Sequence, residues 1–203
     1  MQVYDRTLSN AEVQNLFAYP AQTLASPRGE ALVPGSIVYS RTTGSDGSIW
    51  AFDPATGRDT YLMEGTRPRL SPDGRYVAYL RDNGALAGHG NVYVRDLAEG
   101  SERMLHENHD YVIGVSFADE GRQVLFDAEC SILQVARSGA VPITLVSGHC
   151  WDDSPAADPF TGRIAFHNLS LRQIGTANAY GTGKHYLPPA SGEDVYPTWS
   201  PDG

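Results

Sequence analysis

"RLSPDGRYVAYLRD", residues 69 to 82, sets the pattern for most of the chain. Ser71-Pro72-Asp73-Gly74 is strong turn chemistry. Proline presets φ at the second position, aspartate bonds its own backbone, and glycine takes a positive φ. The residues after the turn alternate as a strand does, with Tyr76, Ala78 and Leu80 on one face and Val77 and Tyr79 on the other.

The turn recurs as Ala118-Asp119-Glu120-Gly121, as Asp158-Pro159-Phe160-Thr161-Gly162, and as Ser200-Pro201-Asp202-Gly203. Its glycines stand 47, 41 and 41 residues apart. The second unit contains Pro68-Arg69-Leu70, "RYVAYLR", "NVYVRDL" and "SERML". The third contains "GVSF", "RQVLFDAE", "SILQVAR" and "VPITLV", and the fourth "SPAADPF", "GRIAFHN", "RQIGTANA" and "HYLPP". The first lacks an opening strand but holds "SIVYSRT", "SIWAFDP" and "TYLME". Units of 40 to 50 residues with four short strands each are the mark of propeller blades. The predicted fold is therefore an all-β propeller of about four blades, each a four-stranded antiparallel sheet, as an incomplete part of a larger ring. A lone opening strand is expected at 195–199. It either continues into further sequence, the favoured reading, or docks beside 36–64 as the strand the first blade lacks.

Composition agrees: 21 glycines, 13 prolines and 11 tyrosines with only short apolar runs suit a chain of many turns. The 203 residues carry 15 Lys and Arg against 24 Asp and Glu, a net charge of −9 with no basic run. That balance argues against nucleic acid and against an anionic membrane surface as partners. No apolar run is long enough for a membrane span, and no secretory signal precedes the first repeat.

The repeats resemble the WD40-like (PD40) repeats of TolB-type propellers. Asp194-Val195-Tyr196-Pro197-Thr198-Trp199-Ser200-Pro201-Asp202-Gly203 matches that pattern at nearly every position, and Arg69 to Asp82 almost as well. The third and fourth copies are degenerate. Such propellers serve many roles, so the resemblance implies a fold and leaves function open. Residues 1–17 differ: Ser9 and Glu12 form a capping box, and "VYDRTLSNAEVQNLF" resembles the closing segment of laminin-G-like, concanavalin-type domains. Residues 18–35, with three prolines, read as a linker. The expected organisation is a laminin-G-like remnant at 1–17, the linker, and propeller blades over 36–203.

In a propeller the loops entering each blade and those joining its second and third strands share one face. That face collects Asp110, His149, Trp151, Asp152, Asp194, Tyr196, Arg81 and His167 as candidate binding residues. Asp152 and Asp194 each stand three residues before a proline, and Asp110 lies at an equivalent place. Their first reading is as acceptors for backbone N–H groups entering the strand, and their second as ligand or cation contacts. Trp151 reads first as a blade-packing residue and second as a platform for a sugar. His106, His109 and His149 are weak candidates for a divalent-cation site, with unliganded loop histidines as the alternative. Cofactors are otherwise not expected.

Cys130 and Cys150 fall on the same face, where a disulfide would stabilise by about 3 kcal/mol and would place the chain in an oxidising compartment. Two buried free thiols are the other reading.

No G-x-S-x-G elbow, P-loop or H-E-x-x-H motif occurs. The expectation is a non-catalytic binding or scaffolding propeller of a secreted or periplasmic multidomain protein, recognising a protein or a glycan. The enzymatic alternative follows from the resemblance: TolB-like repeats also form the propeller of prolyl-oligopeptidase-like serine peptidases, and are similar to those of metal-dependent oligogalacturonide lyases. In the first case a hydrolase domain would lie beyond Gly203.

Overall fold

The computed structural model describes residues 32–43, 46–82, 90–107, 112–128, 130–147, 152–188 and 192–200. The laminin-G-like segment 1–17 and most of the linker therefore lie outside the described residues. Within them the chain forms four antiparallel sheets in sequence order. The first holds β1 (Ile37–Thr43), β2 (Asp46–Asp53) and β3 (Arg58–Glu64). The second holds β4 (Thr66–Leu70), β5 (Tyr76–Asp82), β6 (Gly90–Asp96) and β7 (Glu102–His106). The third is β8 (Val115–Ala118), β9 (Gln123–Ala128), β10 (Ser131–Ala136) and β11 (Ile143–Val146). The fourth is β12 (Asp152–Ala157), β13 (Ile164–Asn168), β14 (Gln173–Ala177) and β15 (His185–Tyr186). The expected three full blades and one three-stranded blade are thus present.

The alternation along each middle strand explains how the sheets associate. Val77 and Tyr79 pack with Ile49, Ala51, Leu62 and Met63 of the first sheet. Their neighbours Ala78 and Leu80 turn the other way, against Val115, Val124 and Phe126 of the third sheet. Leu125 points on to the fourth sheet, where it meets Ile164 and Phe166. Every apolar cluster therefore fills a seam between two sheets, which is why the middle strands are buried on both faces.

The turn at 71–74 follows its sequence chemistry closely. Gly74 N donates to Ser71 O at 2.8 Å, and Gly74 takes φ +69°. The Ser71 hydroxyl donates to Asp73 at 2.5 Å and accepts from Tyr76 N at 2.9 Å. In the fourth sheet Asp158 replaces the serine and accepts from Phe160 N, Thr161 N and the Thr161 hydroxyl. That hydroxyl and those N–H groups hold the Asp158 carboxyl well below the usual range.

One expectation fails. Residues 195–199 form no regular strand, because no neighbouring strand completes a ladder for them among the described residues. The segment is held instead by Trp199, whose Nε1 donates to Ala156 O at 3.1 Å while its ring lies under the Arg163 guanidinium at 4.6 Å.

Candidate binding cleft

The innermost strands of the second and fourth sheets carry the same irregularity, and the segment at 196 shares its backbone turn. Arg67, Ser154 and Tyr196 occupy the same position of the repeat, each immediately before a proline, and take φ of +53°, +50° and +54°. A side chain at positive φ costs on the order of 1–3 kcal/mol and persists only where its surroundings impose it. The ladders shift register at these points, between Thr66 and Arg69 and between Asp153 and Ala156. These are bulges, which bend the strand as it enters the blade. The third repeat has Gly114 at this position. A Cβ there would lie 2.9 Å from Ser154 Cα, so the close approach of the next inner strand requires glycine.

The bulges border a cleft of about 540 Å³ between β8, β12 and residues 196–200. Arg67, Arg69, Ser154, Pro155, Tyr196 and Trp199 are among its lining residues. Arg67 and Arg69 are exposed, and Tyr196 is 70% exposed. Arg67 Nη1 donates to Ile113 O, tying the second sheet to the third across the mouth of the cleft.

Behind this rim runs a line of ionisable groups. Asp127, at the end of β9, accepts from Ile113 N at 2.7 Å and Gly114 N at 2.5 Å. Burial pushes its carboxyl up to about 7; the two N–H groups oppose this, and the charge of Asp153 adds to it. Asp153 Oδ1 lies 3.2 Å from His167 Nδ1, and His167 Nε2 lies 3.7 Å from Glu193 Oε1. Glu193 in turn pairs with Arg172 at 3.4 Å. The His167 side chain is only 4% exposed, so this pair supports the rim from within and is not open to a ligand from solvent. Ser154 Oγ is buried with no hydrogen-bond partner among the described residues.

The candidates read from sequence are distributed unevenly. Tyr196 lines the cleft. His167 and Asp152 lie buried just behind it, Asp152 Oδ1 accepting from Asn168 Nδ2 at 2.5 Å. Asp194 is half-buried, and its N–H donates to Arg172 O at 3.4 Å.

Arg81 is engaged inside the second sheet. It forks onto Glu102 at 2.8 and 2.9 Å and stacks over Tyr93 at 4.5 Å. Burial opposes ionisation of Glu102, but the Arg81 fork and the Tyr79 hydroxyl outweigh it and hold the carboxyl below its usual range. His106 packs on Phe126 with ring centroids 5.0 Å apart. Asp110, His109, His149, Trp151 and Cys150 lie outside the described residues. Cys130 sits exposed at the β9–β10 turn with φ +62°. Sequence reasoning missed Asp127, Arg67 and Arg69. The usable signals were an acid closing the apolar run "QVLF" and arginines on either side of Pro68.

No family model and no curated protein matches the sequence. Solved structures do resemble the fold. TolB from Acinetobacter baumannii is 17% identical with a TM-score of 0.66, covering 83% of this chain and 44% of that one. A nidogen/laminin complex gives 12% identity and a TM-score of 0.59, covering 75% of this chain and 61% of that one. A calcium-binding protein, regucalcin, from Agrobacterium tumefaciens gives 15% and 0.57, covering 82% of this chain and 64% of that one. At such identities the likeness establishes the propeller fold alone. The chain spans less than two thirds of the length of each of these.

Proposed function

We propose that this chain is part of a binding propeller of a secreted or periplasmic multidomain protein, and that it recognises a protein partner through the cleft bordered by Arg67, Arg69 and Tyr196. The observation that carries the reading is the cleft itself. Strained, repeat-related positions at positive φ bring two exposed guanidinium groups and an exposed tyrosine around one concavity, an arrangement enriched where proteins meet. Asp127 clamps the backbone at Ile113 and Gly114, and Asp153 pairs with buried His167, so the rim is pre-organised rather than assembled on contact. The nidogen neighbour comes from a complex with another protein, which is compatible with such a role for this fold.

The test uses the chain with Arg67→Ala and Tyr196→Ala variants in cross-linking to secreted and periplasmic fractions, beside a glycan array. A cross-linked protein captured by the parent chain and lost with both substitutions is expected. A saturable glycan signal with no protein captured would overturn the choice of partner. Capture unaffected by either substitution would overturn the choice of surface.

A further inference from the structure

At the opposite end of the strands from the cleft rim, a second groove of about 530 Å³ opens between the second and third sheets. Tyr76, Glu102, Arg103, Arg122, Gln123 and Arg137 are among its lining residues. Three guanidinium groups in one groove are unusual on a chain of net charge −9.

Their partners decide what the groove can hold. Arg122 is neutralised by Asp119 at 2.6 Å and Glu120 at 3.3 Å. The two acids that line the groove already have partners, Asp96 with Arg75 at 2.6 Å and Glu102 with Arg81 at 2.8 Å. Arg103 and Arg137 have no ion-pairing carboxylate among the described residues. The Asp73 carboxyl is near enough to feel the charge of Arg137 and offsets part of it, but its hydrogen bonds come from the Ser71 hydroxyl and Arg75 N, so it does not chelate the guanidinium.

Arg137 is held in place without an acid, and Arg103 packs against backbone. The Arg137 guanidinium lies 3.5 Å from the centre of the Tyr76 ring, and its Nη1 donates to Gly121 O at 3.0 Å. Arg103 lies flat against Gly139, where a Cβ would come within 3.2 Å of its Cδ and Nη1. The fixed Arg137 fork and the Arg103 fork packed on Gly139, with Ser101 and Ser138 beside them, form a cradle that no carboxylate fills among the described residues.

We propose that this groove is an oxyanion site whose ligand is a tetrahedral dianion, a phosphate or sulfate group, gripped between Arg103 and Arg137. Guanidinium forks match such oxygens in geometry as well as charge. The assignment is independent of the partner proposed for the cleft.

Isothermal titration of the chain at low ionic strength with inorganic phosphate, sulfate, phenyl phosphate and acetate tests it. Saturable binding of phosphate with a Kd on the order of 1 mM is expected, with acetate at least about tenfold weaker. Arg103→Gln should weaken phosphate about tenfold or more, while Arg122→Gln, already paired, should change it less than about twofold. Arg103 is exposed, so its loss keeps the test valid even where Arg137→Gln disturbs the seam at Tyr76. Phenyl phosphate binding as tightly as the free ion identifies a group carried on a larger molecule. Inorganic phosphate alone identifies the ion. No saturation through tens of millimolar, or binding unchanged by Arg103→Gln, overturns the site.

Discussion

Asp127 makes the fold sensitive to pH in a direction opposite to Asp73, Asp96 and Asp158. Its carboxyl is raised by burial from 3.8 to about 7 in the folded chain, so the folded state holds this proton more tightly than the unfolded one. The stabilisation is complete below about pH 4 and is lost as pH rises through 7. A roughly thousandfold tighter hold on one proton corresponds to on the order of 4 kcal/mol. With a urea slope of about 2 kcal/mol/M, that is a fall of about 2 M in the unfolding midpoint. Asp73, Asp96 and Asp158 are shifted down, and their contribution runs the other way, present above about pH 4 and lost on acidification. The informative quantity is therefore the difference between the parent chain and Asp127→Asn, whose amide does not titrate. Urea unfolding followed by tryptophan fluorescence from pH 4 to 8 should show the parent losing stability relative to the variant. A difference that stays flat, or rises with pH, would refute the claim that burial outweighs the Ile113 and Gly114 N–H groups.

Two further outcomes test the seams. Phe126 is fully buried between the second and third sheets, so Phe126→Ala should cost about 3–5 kcal/mol in the same unfolding assay. Gly181 and Gly57 both take positive φ, but a Cβ at 181 would fall 1.8 Å from Leu145 O whereas one at 57 meets nothing within 4 Å. Gly181→Ala should therefore destabilise by more than about 3 kcal/mol and Gly57→Ala by about 1 kcal/mol, and equal effects would mean that the third and fourth sheets are not in contact there.

The blades were legible because a turn and its following strand are local. Ser71-Pro72-Asp73-Gly74 and the alternation from Tyr76 to Leu80 need no knowledge of what lies across the seam. The cleft was less legible because its parts come from different repeats: Arg67, Ile113, Ser154 and Tyr196 converge only once the sheets are stacked. The clamp of Asp127 on the Ile113 and Gly114 backbone spans a strand connection, and the fork of Arg81 on Glu102 spans β5 and β7. Neither appears as a spacing, since both depend on ladder register. The segment 195–199 shows the reverse error. Its side chains follow the repeat and Trp199 docks accordingly, but a strand also needs a neighbour to pair with, and sequence pattern does not supply one.

The seam-filling clusters carry a mechanical implication. Since Val77 and Ala78, adjacent in the chain, belong to different clusters, no sheet can leave the stack without opening a cluster on each side where it has a neighbour. Such an array melts as a chain of coupled neighbours. A sheet with a neighbour on both sides must open two seams to leave, so the second sheet, which packs on the first and on the third, should be slow to exchange its amide hydrogens.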